Sequence, residues 1–176
     1  MKRWLSAVNV LAVLAGLAIA VSLLYPWWGL KIGFMKMTYV YPYVIRGPAT
    51  EVIGYRKTAQ MPFLTGLLVF NIVLCFVGSV LRGRKGRIAL GVSSLLTLVA
   101  IWRFYVRAAS IAGRYHVPVQ GEGIATYMAF SPLHVSARLQ PGFYLVIAGT
   151  VLSLLAAILH DRLRLRFDQR PSQREA

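Results

Sequence analysis

Four stretches of this 176-residue chain run almost purely apolar for about 20 residues each. A helix that crosses a bilayer needs that length, because at about 1.5 Å per residue it spans a hydrocarbon layer roughly 30 Å thick. The stretches are Trp4 to Tyr25, Pro62 to Leu81, Ile88 to Ala109 and Gly142 to His160. Pro62 suits a first helical turn, where its missing N–H is no loss. Such runs exclude an ordinary soluble domain. Composition agrees: 57% of residues are hydrophobic and 14% charged, against about 25% charged in a soluble domain. The apolar run of the first stretch continues past Ala18-Ile19-Ala20, a cleavage-like sequence, to Leu24. It is therefore read as a retained helix and not as a signal peptide.

Charge orients the spans. There are 20 Lys+Arg against 5 Asp+Glu, a formal net charge of +15. Basic residues gather on the cytoplasmic side of membrane helices. Lys2 and Arg3 precede the first stretch; Arg82, Arg84, Lys85 and Arg87 fill the short link after the second; five Arg follow the fourth. The chain is thus expected to be an all-α membrane protein with a small β extension. Its layout is a four-transmembrane-helix bundle with both termini cytoplasmic, helices over residues 4–25, 62–81, 88–109 and 142–160, and a basic cytoplasmic tail over 161–176. No nucleic-acid partner is expected. In the tail, Arg162, Arg164 and Arg166 alternate with apolar residues, a pattern suited to anionic lipid.

The two outer loops, 26–61 and 110–141, are too long for plain connections. The first is rich in strand formers between Ile32 and Ile45, with Gly47-Pro48 as a turn and Glu51–Tyr55 as a returning strand. The second offers Ile124–Phe130 and Leu133–Leu139, with Gly121–Gly123 as a turn signal. Together they predict an extracellular β-sheet. Trp27, Trp28, Tyr39, Val40 and Tyr41 are the candidate interaction surface, with the Trp pair anchoring the sheet at the membrane.

Few residues point to chemistry. Arg103 and Arg107 share a helix face in the outer part of the third span and form a candidate anion or lipid-headgroup site. The competing reading is snorkelling, or pairing with Glu51 or Glu122. His116 and His134 stand 18 apart with no Cys or His beside them, which is not metal-ligand spacing; His160 reads as a polar residue ending the fourth helix. Neither a metal nor a cofactor is expected. Cys75 has no partner thiol and reads as packing. Asn9 and Asn71 are expected to hydrogen-bond across helices, and Gly16, Gly78, Gly91 and Gly149 to allow close helix contact. No paired carboxylate, nucleophile elbow or phosphate loop occurs, so no enzymatic activity is expected.

The first span ends Tyr25-Pro26-Trp27-Trp28, and the fourth opens Gly142-Phe143-Tyr144-Leu145-Val146-Ile147-Ala148-Gly149. With the four-span layout and the strand-rich first loop, this resembles the claudin and peripheral myelin protein superfamily. The chain departs from that family in the first loop, which has no Cys and carries Gly29-Leu30 directly after the Trp pair. The resemblance implies association with like or unlike chains, as a homo- or hetero-oligomer, through the outer loops. The alternatives are an accessory subunit of a larger membrane complex, or a lipid enzyme using Arg103 and Arg107.

Overall fold

Asn9 sets the start of the first helix. Its side-chain oxygen accepts the Ala12 amide N–H at 3.3 Å, so helical geometry begins at Val10. The computed structural model describes residues 8–48, 61–81, 83–113, 116–125 and 133–160. Within them, helix α1 (Val10–Ser22) has 13 residues, about 20 Å of rise. Of the expected span over Trp4–Tyr25 the described residues hold a helix at Val10–Ser22, and residues 4–7 lie outside them; hydropathy does not register that an asparagine inside an apolar run caps a helix.

Helices α2 (Pro62–Val80), α3 (Arg84–Gly113) and α4 (Pro141–Ile158) have 19, 30 and 18 residues. All three are long and apolar enough to cross a membrane. Proline opens both α2 and α4. Arg84, Lys85 and Arg87, expected in the α2–α3 link, lie in the first turn of α3; Arg82 lies outside the described residues.

The helices pack in a ring, α1 on α2 and α4, and α3 on α2 and α4. Small and polar residues line the inside: Cys75, Ser93, Thr97 and Ser153 are buried, while Leu14, Phe70, Leu95, Trp102 and Leu154 face outward. That reverses the soluble pattern and matches helix contacts in lipid, where small residues let backbones approach. A Cβ on Gly149 would stand 2.7 Å from the Ile19 side chain. Gly91, by contrast, faces open space, because it lies off the contact face.

One end of the ring is tied by hydrogen bonds. Asn9 Nδ2 donates to Ala156 O and to His160 Nδ1, each at 3.1 Å, and His160 Nε2 donates to Leu81 O at 3.2 Å. His160 is 1% exposed, and its ring lies on Gly86, where a Cβ would meet Nε2 at 2.7 Å. The expectation of a helix-ending polar residue thus understates its place.

At the other end stands an antiparallel sheet. Its strands are β1 (Trp28–Ile32), β2 (Thr38–Val40), β3 (Ile45–Arg46), β4 (Gly121–Ala125) and β5 (Leu133–Leu139), in the order β3-β2-β1-β5-β4. The two long connections therefore build one sheet, through the β1–β5 pairing of Trp28 with Leu139 and Ile32 with Val135. Gly121–Gly123, expected as a turn, is the start of β4. Glu51–Tyr55 and residues 126–130 lie outside the described residues. One face is packed: Leu30, Ile32, Val40, Ile45, Val135 and Ala137 join Ala108, Ile111 and Ala112 from the end of α3 in one core. Such one-sided burial suits an antiparallel sheet.

Candidate functional site

The solvated face of the sheet follows from strand alternation. In β1, β2, β3 and β5 the residues opposite the packed ones are Lys31, Tyr39, Arg46 and Arg138, all exposed. Register brings them into rows. Arg46 pairs with Tyr39, Tyr39 with Gly29, and Gly29 with Arg138, so four strands contribute to one row. Lys31, Ser136 and Glu122 form the next. Met37 and Gln140 lie over Gly29, where a Cβ would meet the Met37 sulfur at 2.9 Å. The Arg46 guanidinium sits 5.7 Å from the centre of the Tyr41 ring, a cation–π distance, and the Tyr43 ring is 5.5 Å from that of Tyr41. Arg138 Nη2 donates to Glu122 Oε1 at 3.3 Å. Both side chains are well exposed, so the pair contributes little to stability. Its meaning is electrostatic. Glu122 is the one acidic residue among the described residues, and the face stays positive around it.

The residues expected on this surface divide sharply. Tyr39 is exposed and Tyr41 half-buried. Trp27, Trp28 and Val40 are inside, the two Trp at 0% exposure. Trp27 meets Phe104 edge-on at 4.9 Å and Phe143 at 6.1 Å, and its Nε1 donates to Ser22 O at 3.0 Å. Trp28 Nε1 donates to Val119 O at 2.8 Å. The pair therefore joins sheet to helices and forms no outer surface or headgroup anchor. Sequence reading missed Lys31, Arg46 and Arg138. The alternation of strand positions carried that signal, once the register was known.

A second feature lies between the start of α2 and the second half of α3. A cavity of about 600 Å³ opens there, with Arg103 and Arg107 on its wall beside Met61, Phe63, Leu67 and Val99. Both arginines are on the exposed side of α3. Glu122, expected as a possible partner for them, is bonded to Arg138 instead; Glu51 lies outside the described residues. Cys75 is elsewhere, in the helical core, with Sγ 3.2 Å from Ser93 Oγ. The Asn71 side chain is fully buried and makes no hydrogen bond among the described residues, contrary to the cross-helix bond expected of it. The described residues hold no group of three metal-ligating side chains. Arg162, Arg164 and Arg166 lie outside the described residues. Compared with known proteins, the chain matches no family model and no curated protein.

Proposed function

We propose that this chain is a non-enzymatic multi-pass protein of the cell membrane that binds another polypeptide through the solvated face of its sheet. In this reading α2, α3 and α4 cross the bilayer, α1 completes a four-span bundle, both termini face the cytoplasm, and the sheet stands outside. The apolar outward surfaces of the helices support the membrane placement. The basic run at the start of α3 supports the orientation. A sheet assembled from both long connections is the layout that the claudin-like resemblance implies, and association through it is the matching role.

The observation that carries the reading is the row Arg46, Tyr39, Gly29 and Arg138, flanked by Lys31. Arginine and tyrosine are among the residues most enriched at protein interfaces. Two copies meeting face to face would bring like charges together, which costs several kcal/mol. The partner is therefore an unlike chain with an acidic surface. Native mass spectrometry after gentle extraction is expected to show a second polypeptide at fixed stoichiometry. Arg46→Glu combined with Arg138→Glu should release it while the helical circular dichroism stays unchanged. A protein that runs alone or as a homo-oligomer, indifferent to both substitutions, would overturn the reading.

A further inference from the structure

We propose that the cavity between α2 and α3 is a binding site for an anionic phospholipid of the leaflet nearest the sheet. It rests on the membrane placement above and is independent of the partner-binding role. The cavity's volume, about 600 Å³, lies within the usual range for sites that take an organic ligand, about 300–1,000 Å³. Its two ends differ in chemistry. Arg103 and Arg107 stand on its wall near the start of α2, with Phe63 and Val106 beside them; about one helical turn further from the sheet the walls are Leu67, Val99 and Ala100. A charged head and an apolar tail fit that division, whereas a small inorganic anion would leave the apolar part unfilled.

Depth agrees. The apolar stretch of α3 begins at Ile88, so Arg103 lies about 22 Å and Arg107 about 28 Å along the axis. In a hydrocarbon layer roughly 30 Å thick, that is where chain carbons give way to headgroup phosphates. An arginine there costs little if it meets a phosphate, and its planar fork suits phosphate oxygens. The N-terminus of α2 adds to the positive end. Met61 and Pro62 line the cavity, and no side chain caps this helix, so the positive end of its dipole is turned toward the same volume. The aromatic ring of Phe63 is also at the wall; it flanks the opening.

The test uses the full chain in nanodiscs of phosphatidylcholine doped with phosphatidylglycerol of the same acyl chains, with retained lipid counted by native mass spectrometry. Wild type should retain phosphatidylglycerol over phosphatidylcholine. Arg103→Gln should lower that retention about fivefold, the weight of one interfacial cation on an anionic headgroup, and Arg103→Lys should restore most of it. Leu67→Trp, which fills the apolar end and leaves both charges, should lower retention as well. Inorganic phosphate should not compete. Equal retention of the two lipids by wild type would overturn the site. So would competition by phosphate, or retention lowered by Arg103→Gln and untouched by Leu67→Trp, since each means a bare anion contact without a seated lipid. Absence of an acidic partner with lipid retention intact would sink the functional reading and leave this one standing.

Discussion

Asn71 and Cys75 occupy successive turns on the inner side of α2, yet they fare differently. Cys75 finds hydroxyls on two neighbouring helices, Ser93 at 3.2 Å and Ser153 at 3.8 Å. The Asn71 side-chain amide finds no partner among the described residues, although its backbone oxygen accepts from Ser93 Oγ at 3.3 Å, and a buried amide without a partner costs about 1–3 kcal/mol. Asn71→Leu, close in volume, removes that cost and is therefore expected to raise the melting temperature in detergent. The gain should be about 1 kcal/mol, the lower end of that range, because the branched leucine must also find room. A fall would mean that the amide has a partner that the substitution removes. Sequence alone marked both residues as interior, from their place in an apolar run. It could not tell which had a partner, because that depends on which α3 residues come opposite.

The turn between α2 and α3 shows what close approach demands. Gly86 lies under the His160 ring, and a Cβ there would stand 2.6 Å from Leu81 O and 2.7 Å from His160 Nε2. The first obstacle is backbone and cannot swing away. Gly86→Ala is expected to destabilise by about 1–3 kcal/mol, the usual cost of overpacking, measured as a lower melting temperature. Gly91→Ala, in open space on the same helix, should change it little. The helices α2, α3 and α4 were readable from sequence because each lies in a long, almost uniformly apolar run. The Asn9 cap was not, since it is a local hydrogen bond that hydropathy averages over. The existence of the sheet was legible from its β-branched and aromatic residues. Its register was not, and with register went the identity of the exposed row: Trp27, Trp28 and Val40 looked like surface, and Lys31, Arg46 and Arg138 were passed over.

Charge, topology and the buried thiol come together in one experiment. The orientation proposed above puts Lys36, exposed in the β1–β2 turn, outside the cell, and Lys85, exposed in the first turn of α3, inside it. In intact cells a membrane-impermeant thiol reagent is expected to label Lys36→Cys and to leave Lys85→Cys untouched until the membrane is opened. Cys75, at 0% exposure, should stay silent in both, so it need not be replaced. The reverse labelling pattern would invert the protein and move the phospholipid site to the other leaflet.

The central pairing of the sheet also sets a clock. β1 is made early, but its partner β5 follows roughly 100 residues later, after α2, α3 and β4. A ribosome adds about 5–20 residues per second, so β1 waits about 5–20 s for the strand that completes its second edge. For that time the β1–β2 hairpin presents an open row of backbone donors and acceptors, the kind of edge on which foreign strands add. The nascent chain is therefore most exposed to mispairing between the synthesis of β2 and that of β5. Slowing translation within α3 would lengthen that interval without altering a single contact of the finished protein.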